Sequence, residues 1–208
     1  MLISGSFDEN TMFQWKNNTD DKTRVAKIGR ADATNNMSYD YAVTDYVGRS
    51  KVDTITVADS GVVEIWMDGS KDKSYNSIEV INAAGNAYDV TIAGGEGNNT
   101  LVGSQGSSSL WGGAGNGRDV LIGNGQTNFF YGLGNGNDSI SGHQGDTVEL
   151  FDMKLSDITE AVIDTANKRV ILKTIANETV TVSGGVTDFK VGNQLYITNY
   201  KSGGWITK

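Results

Sequence analysis

Hydrophobic and polar residues alternate in short bursts along most of the chain, and no segment has the spacing of a long amphipathic helix. Alternation predicts strands, because successive side chains of a strand point to opposite faces of a sheet. The bursts upstream of residue 94 are DTITV (53–57), VVEIW (62–66), SIEVI (77–81) and DVTIA (89–93). Each is bounded by glycine, asparagine, aspartate or serine, as strands usually are. The pattern therefore predicts an all-β protein.

From residue 94 the bursts become shorter and recur at a nearly constant step. The glycines that open successive units stand at positions 94, 103, 112, 123, 132 and 142, so the steps are 9, 9, 11, 9 and 10 residues. One such unit cannot bury its apolar side chain, but stacked units share a continuous narrow core. The repeat predicts a solenoid in which two units make one coil and every second strand stacks in a parallel sheet. We expect the coil to be right-handed.

The step also predicts which side chains fill the core. A large apolar residue follows the first glycine of each unit after six to nine positions. Alternate units supply opposite inner faces. We expect Leu101, Leu121 and Ile140 on one face, and Leu110, Phe130 and Val148 on the other. Glycine at the corners permits the positive φ angles that other residues resist.

The pattern changes near residue 152. The alternating segments become longer (TEAVID, KRVILKTI, ETVTV and QLYIT), and TANK, AN and VGN between them predict hairpin turns. We therefore expect an N-terminal β or irregular cap over 1–50, a parallel β-roll over 51–152 and an antiparallel β-hairpin cap over 153–208. Caps are expected because the end of a solenoid exposes unpaired strand edges and core.

Composition narrows the classes of function. The 208 residues include 27 glycines and neither proline nor cysteine, and the net charge is -8. Without cysteine the chain has no disulfide framework and no thiolate metal site. The acidic balance argues against a nucleic-acid partner, which needs clustered Lys and Arg. We expect no membrane span and no N-terminal export signal in this chain, since it lacks a long apolar run and a basic start.

Five units have a glycine-rich first half and a polar residue just before the strand. That residue is Asn99 in GGEGNNTLV, Asp119 in GGAGNGRDVLI and Asp138 in GLGNGNDSIS. In GSQGSSSLW and GNGQTNFFY we place Ser108 and Asn128 there. The pattern resembles the RTX family of secreted bacterial proteins, whose repeat is Gly-Gly-x-Gly-x-Asp-x-apolar-x. The resemblance implies a β-roll loaded with calcium between vertically adjacent turns.

The resemblance also implies a set of metal ligands. Alternate units share an edge, so Asn99, Asp119 and Asp138 are expected to stack on one edge, each turn giving a side-chain oxygen and backbone carbonyls. The expected carbonyl donors belong to Gly112, Ala114, Gly132 and Gly134. Calcium takes roughly 6 to 8 oxygen ligands, and we expect at most two ions on this edge. The other edge carries Ser108, Asn128 and the shortened GHQGD, and we expect no calcium there.

A purely structural interpretation of the same residues stays open. Asn and Asp are favoured at tight corners because their side chains bond nearby backbone. His143 is the only histidine, so a Ser-His-Asp arrangement would have to combine it with Ser141 and Asp146. Its place in a repeat corner favours a solvated turn residue. We therefore expect no enzyme.

Three hypotheses of function follow. The first is a non-enzymatic, secreted or cell-surface, calcium-binding repeat module of a larger exported adhesin- or toxin-type protein, as the resemblance implies. The second is a metal-free structural or assembly solenoid, and the third, by fold-level analogy, a carbohydrate-active β-solenoid enzyme. A surface glycan or a protein stays open as partner. Because Asn or Ser replaces most acids, we expect the roll to form without calcium and calcium to add stability.

Overall fold

The computed structural model describes residues 78–95 and 97–207, with side chains from residue 80 onward, and the backbone of five earlier strands. These are β1 (Leu2–Ile3), β2 (Met12–Lys16), β3 (Thr23–Lys27), β4 (Asp53–Val57) and β5 (Val63–Trp66). Strands β2 and β3 pair antiparallel, and β1 pairs parallel with β4. Most of the cap predicted over 1–50 lies outside the described residues.

Eight further strands build the central coils. They are β6 (Ile78–Asn82), β7 (Val90–Ala93), β8 (Thr100–Val102), β9 (Ser108–Trp111), β10 (Val120–Ile122), β11 (Thr127–Tyr131), β12 (Ser139–Ser141) and β13 (Thr147–Leu150). The even-numbered strands stack in parallel in the first sheet, and the odd-numbered strands stack in parallel in the second. The fold is therefore a parallel β-solenoid of about 4 turns, as predicted. Its right-handed sense stays a prediction.

The core register follows the sequence pattern with one exception. Leu121 aligns with Leu101 on one side and with Ile140 on the other, as expected. In the second sheet the buried column contains Phe129, which pairs with Leu110 and Val148. The placement of Phe130 in the core was wrong. Phe129 is 0% exposed, whereas Phe130 lies half-buried on the outer face, because this unit places its core residue one position earlier than the unit of Leu110, its neighbour in the same sheet.

The strands after residue 152 extend both sheets. They are β14 (Ile158–Asp164), β15 (Arg169–Thr174), β16 (Thr179–Ser183), β17 (Asp188–Val191), β18 (Gln194–Asn199) and β19 (Gly204–Thr207), after a short 3-10 turn at Leu155–Asp157. Strand β16 pairs parallel with β12, and β17 pairs parallel with β13, so these two strands stack on the last coil. Each sheet then ends in antiparallel strands, β15 and β14 in the first sheet and β18 and β19 in the second. The predicted antiparallel C-terminal end is confirmed.

The core runs continuously between the two sheets. Buried apolar side chains extend from Ile81 in β6 to Phe189 in β17. Fully burying one such side chain is worth roughly 1.5 to 3 kcal/mol, so the ladder is a large stabilising contribution. No helix among the described residues is long and apolar enough to cross a membrane.

Candidate metal site at one edge of the roll

Three polar side chains stack at the edge where the first sheet's strands begin. Each stands directly before a strand: Asn99 before β8, Asp119 before β10 and Asp138 before β12. The stacking of the coils therefore places them above one another. The backbone N–H of Asn99 donates to Oδ1 of Asp119 at 2.7 Å, and the N–H of Asp119 donates to Oδ1 of Asp138 at 3.0 Å. They are only 3%, 2% and 4% exposed. We call these three residues the acidic column.

Backbone carbonyl oxygens lie close to the Asn99 end of the acidic column. The Asn99 amide Nδ2 donates to the carbonyls of Gly95 at 3.1 Å and Gly112 at 3.4 Å. It also lies 3.4 Å from Oδ1 of Asp119. A Cβ added at Gly112 would collide with Oδ2 of Asp119. The corner is therefore built for glycine, and its polar surface consists of carboxylate, amide and carbonyl oxygens, the donor types that calcium prefers.

The surroundings of Asp119 and Asp138 disfavour the charged form of both carboxyl groups. Burial raises the pKa of Asp119 to about 7, and the hydrogen bond from the N–H of Asn99 only partly opposes this. Burial likewise raises the pKa of Asp138 to about 7, the hydrogen bond from Asp119 opposes it, and the charges of Asp119 and Glu178 add to it. In the described part of the chain neither carboxylate has a Lys or Arg ion-pair partner. A cation held between them would remove this penalty.

Glu178 is a site residue that the sequence did not point to. It stands just before β16, is 8% exposed, and accepts hydrogen bonds from the N–H groups of Gly134 at 3.0 Å and Gly136 at 3.3 Å. The nearby Tyr131 hydroxyl donates to the carbonyl of Gly136 at 2.9 Å, and burial, followed by the charges of Glu178 and Asp138, raises the pKa of Tyr131. Glu178 adds negative charge to the end of the acidic column.

The four glycine and alanine residues expected to give carbonyl ligands lie in the loops beside the acidic column. The Gly112 carbonyl faces Asn99, while the carbonyls of Gly132 and Gly134 accept from Asn135 and Gly115 at 3.3 Å and 2.6 Å. Ala114 is exposed in its loop. Their metal-ligand role stays a prediction. Among the described residues no three His, Cys, Asp or Glu side chains converge on one point, so a cation here would depend on backbone and amide oxygens as well.

The opposite edge differs from the expectation in one residue. Its column is Ser108, Thr127 and Asp146, each two positions before the core residue of its strand. Placing Asn128 there was wrong, because the shift that moves Phe129 into the core also turns Asn128 outward, where it is exposed. The N–H groups of Thr127 and His143 donate to the two oxygens of Asp146 at 2.8 Å and 2.7 Å. Asp146 thus stabilises a corner through backbone donors.

His143 lies at this corner with its side chain 62% exposed. Its Nδ1 is 3.5 Å from Oδ2 of Asp146, an oxygen that already accepts the backbone N–H of His143. Within the described hydrogen bonds, none joins Ser141 to His143. The geometry agrees with a solvated turn histidine.

Comparison with known families tests the resemblance. The model of the RTX calcium-binding nonapeptide repeat matches in 4 copies, at residues 83–110, 93–116, 114–134 and 133–146. No curated protein and no solved structure gives a significant match. The matched span includes the whole acidic column and starts before residue 94, where the regular glycine step begins. The chain therefore carries RTX calcium-binding repeats over residues 83–146, and these repeats imply that it binds calcium.

Proposed function

We propose that the chain is a non-enzymatic calcium-binding module whose ion binds on the acidic column, between the coils of Asp119 and Asp138. The observation that carries the proposal is the pair of stacked carboxylates, 2% and 4% exposed, with no cationic side chain paired to them in the described part of the chain. A buried charge without a partner is strongly unfavourable. Calcium is the partner that the repeat family implies.

The free oxygens suggest how the ion would be held. Oδ1 of each aspartate accepts a backbone N–H from the coil above, which leaves Oδ2 available. Carbonyls of the adjacent loops, from Gly112, Ala114, Gly132 and Gly134, would complete a shell of about 6 to 8 oxygens together with water. A second, weaker site between Asn99 and Asp119 would have a single carboxylate. Bound calcium would neutralise the column and hold successive coils together.

We further propose that the module serves in a secreted or cell-surface protein of adhesin or toxin type. RTX repeats are typical of secreted bacterial proteins, and the chain's net charge of -8 agrees with that setting. In this proposal residues 1–50 and 153–208 cap the roll of residues 51–152.

A metal-free structural module is the second candidate, and the structure contains an observation in its favour. Next to the acidic column, Oδ1 of Asn98 accepts the N–H of Arg118 at 2.8 Å, and Oδ1 of Asn137 accepts the N–H of Thr179 at 3.0 Å. Neutral side chains thus join coils by the same kind of bond that the aspartates make. In this alternative the aspartates would have only this structural role.

Calorimetric titration of the metal-stripped protein with calcium tests the two candidates. We expect binding of one or two ions, loss of the tighter one in Asp119→Asn and in Asp138→Asn, and unchanged binding in Asp89→Asn. Asp89 is the matched control, because its Oδ1 accepts the N–H of Ser107 in the next coil at 2.9 Å but the side chain is exposed. Absence of calcium binding, or equal binding in all four proteins, would favour the metal-free module.

A further inference from the structure

A shallow apolar groove lies on the outer face of the second sheet, away from the acidic column. Its volume is about 340 Å³, and its lining includes Thr91 and Ala93 of β7, Ser109 and Trp111 of β9, Phe130 of β11, and Phe151. Trp111 aligns with Ala93 and with Phe130 in the neighbouring strands. Ala93 thus lies next to Trp111, and its small side chain leaves space beside that ring.

The Trp111 ring is held in one orientation. Its Nε1–H donates to Oδ1 of Asn135 at 3.0 Å, and its plane meets Phe151 edge-on, with ring centroids 5.9 Å apart at 86°. Oδ1 of Asn135 also accepts the N–H of Gly132 at 2.8 Å, and Asn135 is only 4% exposed. A fixed aromatic face loses little conformational entropy when a ligand packs on it.

Two hydroxyl groups stand beside these rings. Thr91 and Ser109 pair across β7 and β9, strands of a ladder whose spacing is about 4.8 Å. Both residues are half-buried, and neither hydroxyl makes a hydrogen bond among the described residues. The groove thus combines apolar ring surface with two free hydroxyls.

Charge and size restrict the ligand. Among the described residues that line the groove none is charged, so an ionic ligand would find no oppositely charged side chain among them, and the net charge of -8 disfavours an anion in particular. A purely apolar ligand would cover both hydroxyls without bonding them, which is unfavourable. The volume is at the lower end of small-molecule sites, which start at about 300 Å³. The remaining class is small and neutral, with apolar faces and many hydroxyls.

We propose that this groove binds a neutral saccharide, with one sugar ring against Trp111 and Phe130 and its hydroxyls bonded to Thr91 and Ser109. A sugar ring has apolar C–H faces that pack on aromatic rings, and hydroxyls at its edge that both donate and accept. The site is separate from the acidic column.

The test is titration of the calcium-saturated protein with maltohexaose, cellohexaose and a galactose oligomer, followed by calorimetry and saturation-transfer NMR. We expect at least one of them to bind. Affinity should fall at least about tenfold in Trp111→Ala and in the double variant Thr91→Val, Ser109→Ala, since two lost hydrogen bonds are worth about that factor or more. The double variant leaves the rings and the core in place, so its melting temperature should stay that of the parent.

Thr147→Val is the matched control. Thr147 lies in the same outward column, next to Asn128, but outside the groove, so binding should be unchanged. Binding should also persist in Asp119→Asn, which separates this proposal from the calcium site. The proposal is overturned if none of the three sugars binds, or if the double variant binds them as the parent does. It is equally overturned if only an apolar dye occupies the groove and the double variant binds that dye as tightly.

Discussion

Replacing Asp119 by Asn should stabilise the protein in chelator and remove most of the stabilisation by calcium. Burial raises the pKa of this carboxyl from 3.8 to about 7. Since one pKa unit corresponds to about 1.36 kcal/mol, holding the carboxylate charged at pH 8 opposes folding by up to about 4 kcal/mol. The amide oxygen of Asn still accepts the N–H of Asn99 without this charge. Its new NH₂ group, if unpaired, costs about 1 to 3 kcal/mol, so the expected net gain is about 1 to 3 kcal/mol.

Calcium should change the difference in stability between the parent protein and Asp119→Asn. An ion at a hundredfold excess over its Kd stabilises the parent by about 2.7 kcal/mol. Asp119→Asn lacks one of the two carboxylates, so its increment should be much smaller. The difference between calcium and chelator is therefore the decisive quantity.

Urea unfolding followed by circular dichroism at pH 8, in chelator and in calcium, measures both free energies. Asp89→Asn is the control, since its exposed side chain accepts the same kind of inter-coil bond. It should change stability by no more than about 0.5 kcal/mol in either condition. Equal destabilisation of Asp119→Asn in calcium and in chelator would refute the reasoning and assign Asp119 a structural role alone.

The same carboxylates predict the pH dependence in chelator. Their pKa is about 7 in the folded chain and near 3.8 when unfolded, so the unfolded state releases these protons first. Their contribution should be fully present below about pH 4, decline as the pH rises, and be lost above about pH 7. The doubly substituted Asp119→Asn, Asp138→Asn protein should lack most of this decline. The burial argument would be contradicted if the parent protein became more stable from pH 4 to 7 and the doubly substituted protein did not.

Three further predictions concern the core, a corner and the end of the column. Phe129→Ala should lower the free energy of unfolding by about 3 to 5 kcal/mol and Phe130→Ala by clearly less, as measured by urea denaturation; equal losses would contradict the register. Gly113→Ala should lower the melting temperature because φ is 118° and the added Cβ would collide with the backbone of Gly95 in the preceding coil, whereas Gly85→Ala, with open space around it, should have little effect. Glu178→Gln should weaken calcium binding a few-fold in calorimetry by removing a charge near Asp138, and unchanged affinity would show that this charge does not reach the ion.

The coils could be predicted from the sequence because the residue pattern that specifies them is local and periodic. Each unit repeats the same short pattern of glycine, polar residue and apolar residue, which determines that Leu101, Leu121 and Ile140 share a column. The pattern fails at Phe129 and Phe130, where two adjacent rings fit the core position about equally well. Only the pairing with Leu110 and Val148 selects between them, and that pairing is a tertiary effect.

The site residues that the sequence did not predict depend on contacts between residues that are far apart in the sequence. Glu178 reaches Gly136 across 42 positions, and Trp111 donates to Asn135 across 24 positions. Glu178 lies after the repeats, and Trp111 occupies the last position of its unit, which the repeat leaves unspecified, so no periodicity marks either residue. The stacking of the acidic column could be anticipated, but the raised pKa values of Asp119 and Asp138 follow first from the depth of their burial, and no cationic partner in the described part of the chain opposes it. A sequence reveals neither of these features.

The pairing of β12 with β16 has a consequence for the order of folding. Within the coils, Leu121 and Ile140 meet across 19 residues, but Ile140 meets Val182 only across 42. The longer loop adds only about 0.6 to 0.7 kcal/mol of closure entropy, so the equilibrium is hardly affected. The sequence of events is affected more. When the chain emerges with its N-terminus first, each coil can dock on the one before it, whereas the fourth coil keeps one face of its core in water until residues 179–191 have appeared. Folding can thus begin on any coil, but it is completed from the C-terminal side.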